Sequence, residues 1–201
     1  YVWKADNWAE LWENILEEYI EVKNGNPKSE HFIGTIIIKQ RESEKVGSLE
    51  YDLIDGQQRL TTICLLMRAF YDVTDDTNIK NWIKTLLVFI DSYGNENIRI
   101  LHSKIDREYF QNLILDKSTN SELWDNFASL KIEEIERRTE LMNKIHGAYV
   151  YFRKRILDEA EISDLRAYIQ IVLEKLPVIH MALTKDDDVQ QIFDTINSLG
   201  V

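Results

Sequence analysis

Residues 51–67 read YDLIDGQQRLTTICLLM and join a strand pattern directly to a helix pattern. Apolar side chains at Leu49, Tyr51 and Leu53 alternate with polar ones, which is typical of a half-buried strand. The residues after Gly56 are apolar on nearly every side, which indicates a buried helix. We therefore predict a strand that passes into a helix through a single glycine.

The first turn of this helix carries three polar side chains, those of Gln57, Gln58 and Arg59. The first N–H groups of a helix have no partner within the helix, and the helix dipole places positive charge there. This environment favours an anion such as a phosphate. An arginine can bind two phosphate oxygens at once, and a glycine lets a phosphate approach the backbone. The residues thus indicate a phosphate site formed by Gly56, Gln57, Gln58 and Arg59.

The same five residues, 55–59, also fit an ordinary tight turn. Asp-Gly is common in turns, and glutamine and arginine are common on exposed helix turns. The spacing alone does not separate these two interpretations. If the turn is a site, Asp55 is its carboxylate, able to hold Mg²⁺ through an oxygen or to orient a water molecule, and Arg59 offsets phosphate charge. The neutral amides of Gln57 and Gln58 would position a ligand rather than react.

The composition fits a globular chain with a substantial core. Of its 201 residues, 44% are hydrophobic, and its formal net charge is -11. An acidic chain does not favour a long non-specific contact with DNA or with an anionic membrane, so any nucleic-acid contact should be local. The single cysteine, Cys64, lies among apolar residues and is expected to be buried and inert.

We predict a cytoplasmic location and no membrane contact. No stretch approaches the roughly 20 apolar residues of a membrane-spanning helix, and no signal-peptide pattern opens the chain. Both ends look cut, so we expect this chain to be a fragment of a longer protein.

Hydrophobic spacing predicts the remaining elements. Apolar residues from Trp8 to Ile20 recur at three and four residues and predict a helix, and the β-branched run at residues 31–39 predicts a strand inside a sheet. The series from Ile132 to Ile156 keeps helical spacing and predicts one long helix. Residues 178–184 are a candidate to return a strand to the first sheet. The fold class is therefore α+β: a small sheet unit at residues 1–76 and a mainly helical extension at residues 77–201.

Several short motifs together resemble one protein family. The run DGQQRLTT at residues 55–62 resembles the D-G-Q-Q-R-L-T-T signature of a bacterial domain that forms the N-terminal part of GmrSD-like, modification-dependent restriction enzymes. The likeness extends over nearly the whole chain, through YVW at residues 1–3, FIGTI at 32–36, DREYF at 106–110 and IFDTINSLG at 192–200. The last two are similar to the family's D-R-x-x-F and I-F-x-x-x-N-x-x-G segments.

The resemblance implies a fold and a set of site residues. It implies a ParB/sulfiredoxin-like sheet whose strand-to-helix turn holds a nucleotide or phosphate, with Asp55 and Arg59 as catalytic residues and Asp55 as the Mg²⁺ ligand. Tyr1, Trp3 and Asn197 match family elements and become candidate accessory residues. Each has a plainer interpretation: packing for the two aromatic residues and a helix C-cap for Asn197.

The resemblance also implies a function and partners. We expect a nucleotide-binding and NTP-hydrolysing regulatory domain of a bacterial anti-phage restriction system, with Mg²⁺ and a nucleoside triphosphate as ligands. DNA would be engaged through the full-length protein, and cleavage would belong to an HNH-type nuclease domain or subunit outside this chain. Two alternatives stay open, a ParB-like DNA phosphodiesterase and a non-catalytic module that senses modified DNA or a partner protein. The chain has no Walker-type phosphate loop.

Overall fold

The computed structural model describes residues 1–26, 35–41, 50–102, 104–115, 117–174, 179–183, 187–188 and 191. These residues form an α+β fold in which helices predominate. The helices are α1 (Ala5–Lys23), α2 (Gln57–Val73), α3 (Thr77–Leu87), α4 (Lys104–Leu115), α5 (Lys117–Asp125), α6 (Ile132–Thr139), α7 (Lys144–Glu159) and α8 (Leu165–Glu174), with a 3-10 turn at Ile162–Asp164. The strands are β1 (Thr35–Arg41), β2 (Glu50–Asp55), β3 (Val88–Ile90), β4 (Glu96–Ile98) and β5 (Ile179–Leu183).

Three strands form the larger sheet, in the order β2-β1-β5. The central strand β1 pairs antiparallel with β2 and parallel with β5. Its buried Ile37 is 1% exposed, in keeping with the apolar composition of an inner strand. The ParB/sulfiredoxin-like identity of this sheet stays a prediction. The smaller sheet is the β3–β4 hairpin, whose turn is held by the Asp91 carboxylate.

Helix α2 lies at the centre of the helical body and packs mainly on α7. Nine of its residues are buried, and they lie between Thr61 and Phe70. Cys64 is among them, and burial raises the pKa of its thiol to about 12, as expected of an inert cysteine. The all-round apolar pattern after Gly56 therefore reports the burial of α2 correctly.

Aromatic side chains pack α1 against the other helices. Trp8 and Trp12 are both fully buried. The Trp12 ring stacks on Tyr168 of α8 at a centroid distance of 6.2 Å, and the Trp8 ring contacts Tyr151 of α7 at 5.6 Å. The helical spacing of the tryptophans predicted this core role.

One hydrophobic core spans the boundary that we predicted between residues 76 and 77. Buried side chains of α1 and α2 belong to the same cluster as those of α3, α4, α7 and α8. The small sheet unit and the helical extension therefore share a core, and the boundary itself stays a prediction. No helix among the described residues is long and apolar enough to span a bilayer.

A buried polar network joins α2 to its neighbours. The Arg68 guanidinium donates to both carboxylate oxygens of Asp72, at 3.0 and 2.9 Å, and to the Ile114 carbonyl at 2.7 Å. Asp72 also accepts from the Tyr149 hydroxyl at 2.8 Å and from the Asn120 amide at 3.2 Å. Because Arg68 is only 4% exposed, these bonds are what make its burial tolerable.

The single long helix predicted from Ile132 to Ile156 is wrong. The chain turns at residues 140–143 and forms two helices, α6 and α7. Asn143 caps the second, since its side chain accepts from the Ile145 N–H at 2.9 Å. At the end of α6, the Lys144 ammonium donates to the carbonyls of residues 139 and 140 and so caps that helix. Both helices turn an apolar face to one core, so the periodicity alone could not reveal the break.

Gly147 allows α6, α7 and α1 to approach closely. A methyl group at Gly147 would lie 3.1 Å from the Thr139 Cβ, 3.3 Å from its Cγ2 and 3.2 Å from the Trp8 ring. Thr139 is 2% exposed and Trp8 is fully buried, so neither side chain has room to move away.

We expect Gly147→Ala to lower the free energy of unfolding by about 1–3 kcal/mol, because it overpacks this contact. In most helix interiors the same change stabilises by up to about 1 kcal/mol, so the sign of the effect is diagnostic. Urea denaturation measures it. Adding Thr139→Ser removes one of the three close contacts and should recover part of the loss. A more stable Gly147→Ala protein would contradict this account.

Candidate functional site

The candidate site is the turn between β2 and α2. β2 ends at Asp55, α2 begins at Gln57, and Gly56 between them has a φ of 89° and a ψ of 10°. This left-handed conformation costs other residues about 1–2 kcal/mol, which explains the glycine. Gly56 is also the N-cap residue and has no side chain to cap the first-turn N–H groups of α2. No N-cap side chain therefore accepts from the first-turn N–H groups of α2.

A β-bulge precedes the turn and sets the direction of Asp55. Along β2, Leu53 lies opposite Ile38, but Asp55 lies opposite Ile37. Ile54 is therefore an extra residue in β2. An extra residue reverses the alternation of side chains, and bulges are common next to active sites for this reason. Sequence alternation alone does not reveal it.

The structure brings Asp55 and Arg59 together. Arg59 Nη1 lies 3.7 Å from Asp55 Oδ2, which is an ion pair longer than a direct hydrogen bond. The Arg59 side chain is 23% exposed and that of Asp55 is 33% exposed. Both side chains are therefore partly accessible to solvent, whereas Gly56 between them is buried. A partly exposed pair of this kind contributes at most about 1 kcal/mol to stability.

Gln57 and Gln58 differ in what their side chains contact. The exposed Gln57 donates from Nε2 to the Leu53 carbonyl at 3.2 Å. Gln58 Oε1 accepts from the backbone N–H groups of Val2, at 2.8 Å, and Trp3, at 3.3 Å. These two donors fix the orientation of the Gln58 carboxamide, since its oxygen must face them.

The chain segment at residues 1–3 lies along the first two turns of α2. The Trp8 indole donates to the Tyr1 hydroxyl at 2.9 Å, and this hydroxyl lies 2.7 Å from Thr62 Oγ1. Thr62 in turn donates to the Gln58 carbonyl at 2.7 Å, so its oxygen accepts the Tyr1 proton. Tyr1 and Trp3, predicted as accessory residues, thus lie beside the β2–α2 turn. Hydrogen bonds and packing hold them there.

Two residues that we did not predict as site residues adjoin the same helix. His102 Nε2 lies 3.3 Å from Thr61 Oγ1 on the second turn of α2, and the Asp106 carboxylate bonds the backbone nitrogen of Tyr1. Asp106 belongs to the D-R-x-x-F segment, and this motif could have identified it as a candidate. No sequence pattern pointed to His102, because it is 41 residues from Thr61 in sequence.

The charges at this turn are mixed. The first turn of α2 carries no acidic residue, and Arg59 adds a positive charge to that of the helix dipole. Asp55 forms an ion pair with Arg59, and Asp106 forms one with the amino group of Tyr1. One guanidinium and one accessible carboxylate thus lie within one turn of the start of α2.

Binding of a metal ion at Asp55 stays a prediction. Among the described residues there is no group of three or more histidine, cysteine, aspartate or glutamate side chains that could hold a metal ion. Mg²⁺ is often bound by one or two carboxylates together with substrate phosphates. Asp55 supplies one carboxylate, which is partly accessible to solvent. Asn197 lies outside the described residues.

We expect Gln58→Met to loosen the segment at residues 1–3, because it removes the acceptor of two N–H groups while keeping the side-chain length. Amide hydrogen exchange at Val2 and Trp3, measured by NMR, should accelerate about 3- to 10-fold. Gln57→Met is the matched control and should leave both rates unchanged, since the Gln57 side chain contacts the Leu53 carbonyl and neither of these N–H groups. Unchanged exchange in Gln58→Met would show that other contacts hold the segment.

Comparison with known proteins identifies a related family. A protein-family model described as "GmrSD restriction endonuclease, N-terminal domain" matches residues 1–201, which is the whole chain. No curated protein matches this chain.

Proposed function

Since this chain belongs to the family of N-terminal domains of GmrSD restriction endonucleases, we propose that its β2–α2 turn binds and hydrolyses a nucleoside triphosphate. The family supports a role in a restriction system that defends bacteria against phage. The observation that carries the nucleotide proposal is the left-handed Gly56, followed by a helix whose first turn presents Arg59 beside uncapped N–H groups. These are the features that bind phosphate in many unrelated proteins.

The proposed division of roles follows from the geometry. The first-turn N–H groups and the Arg59 guanidinium bind phosphate oxygens, and Arg59 offsets the charge that develops on the terminal phosphoryl group. Mg²⁺, bound through the phosphates and Asp55, would neutralise further phosphate charge. The Gln58 carboxamide, oriented by the N–H groups of Val2 and Trp3, presents its NH₂ group as an additional donor.

The proposed reaction is hydrolysis of the terminal phosphoanhydride. The oxygen of a water molecule attacks the terminal phosphorus, and the bond to the bridging oxygen breaks. The products are a nucleoside diphosphate and inorganic phosphate, and the proton of the attacking water passes to solvent or to Asp55. Asp55 can serve either as an oxygen ligand of Mg²⁺ or as the group that orients the water. We infer that DNA cleavage belongs to a nuclease part outside this chain, controlled by the nucleotide state.

Binding and phosphate release with ATP, GTP, CTP and UTP, each with Mg²⁺, test this proposal. We expect one or more of the four nucleotides to bind and to release phosphate. Arg59→Ala should raise the Kd for that nucleotide about 10- to 100-fold, because it removes a charged hydrogen-bond donor. Arg99→Ala removes an exposed arginine that directly follows β4 and is the matched control. No binding of any nucleotide by the folded wild-type protein would overturn the proposal.

Asp55→Asn separates binding from turnover. We expect phosphate release to fall at least about 100-fold while the protein stays folded, because the carboxylate is accessible and its ion pair with Arg59 adds little stability. Thermal unfolding checks the fold. Undiminished phosphate release would exclude Asp55 from the reaction. Nicking of plasmid DNA by the wild-type domain, lost in Asp55→Asn, would instead favour the phosphodiesterase alternative.

A further inference from the structure

The ion pair between Asp55 and Arg59 links the end of β2 to the first turn of α2. Arg59 Nη1 lies 3.7 Å from Asp55 Oδ2, and the two side chains are 23% and 33% exposed. Opposite charges at this distance attract each other even in the partly hydrated surroundings of a protein surface. The guanidinium that we propose to bind phosphate therefore faces a negative charge before any ligand arrives.

This carboxylate opposes the binding of a phosphate at Arg59. Charge-assisted hydrogen bonds to phosphate are about 2.8 Å long, so an oxygen bound to Arg59 Nη1 lies within roughly 7 Å of Asp55 Oδ2. This separation is shorter than the Debye length of about 8 Å at physiological salt, so dissolved ions screen the repulsion only in part. Asp55 therefore acts against phosphate in two ways: it attracts the guanidinium to itself, and it repels the ligand.

A divalent cation would reverse both effects. The first turn of α2 carries no acidic residue, and Asp55 is the single acidic residue of the run at 55–59. A cation held by this carboxylate together with the phosphates replaces one repulsion by two attractions. The same residue thus disfavours a bare polyphosphate chain and favours one that brings its cation.

We propose that Asp55 is an autoinhibitory contact, which holds Arg59 against metal-free phosphate ligands and releases it when a divalent cation binds with the nucleotide. This inference rests on the proposed nucleotide-binding function. It gives Asp55 opposite effects on two measurable quantities, because the carboxylate that turnover needs weakens the binding of the metal-free nucleotide.

Equilibrium binding of the preferred nucleotide in EDTA tests the inference. Asp55→Asn keeps the size of the side chain but removes its charge. It should lower the Kd for the metal-free nucleotide about 3- to 10-fold, because Arg59 no longer faces a competing anion. Asp52→Asn removes the same charge from an exposed position of β2 and is the matched control, with an expected change of less than about twofold.

Mg²⁺ supplies a second test on the same proteins. Its addition should lower the Kd of the wild-type protein for the β,γ-imido analogue of the nucleotide by a larger factor than the Kd of Asp55→Asn, because the carboxylate couples the cation to the ligand. The advantage that Asp55→Asn shows in EDTA should therefore disappear with Mg²⁺. Thermal unfolding checks that both variants are folded.

Three outcomes would overturn the inference: an unchanged or higher Kd of Asp55→Asn in EDTA, an advantage of this variant that persists with Mg²⁺, or an equal gain from Asp52→Asn, which would reflect net charge alone. Each of them leaves the proposed function intact as long as the wild-type protein binds the nucleotide with Mg²⁺. If the wild-type protein binds no nucleotide either with or without Mg²⁺, the proposed function itself fails.

Discussion

The burial of α2 is the constraint on which the rest of this structure depends. Nine of its residues are buried, so the helix cannot shift without disturbing the packing of α7 and α3. Its first turn is consequently presented at a fixed position, directly after Gly56. A rigid helix end costs no reorganisation when a charged ligand arrives, which is the general advantage of preorganised sites.

The D-G-Q-Q-R run divides into parts with different physical roles. Gly56 supplies the left-handed turn, and Gln58 holds the segment at residues 1–3 through its side-chain oxygen. Asp55 and Arg59 are the charged pair that stays accessible. The roles of all five residues in phosphate binding or turnover stay predictions. The structure shows that one motif both holds residues 1–3 beside α2 and leaves a charged pair accessible to solvent.

Segments far apart in sequence meet around α2. Tyr1 reaches Thr62 from one side, and His102 reaches Thr61 from the other. The D-R-x-x-F segment serves both contacts, because Asp106 bonds Tyr1 while Phe110 packs on His102. A short segment of α4, which lies outside the small sheet, thus contacts the residues that flank the start of α2.

The sequence by itself determined the strand-glycine-helix turn, the burial of α2 and Cys64, and the tryptophan core, because each depends on local periodicity or on one residue's conformational preference. The spacing of Asp55 and Arg59 also allowed their ion pair, which is four residues apart. It failed at the α6–α7 break, since two helices that face one core continue a single apolar pattern. Only the tertiary structure decided the bulge at Ile54, the Gln58 contacts and the place of His102. These depend on strand register and on partners tens of residues away, and no local pattern specifies which distant residues will meet.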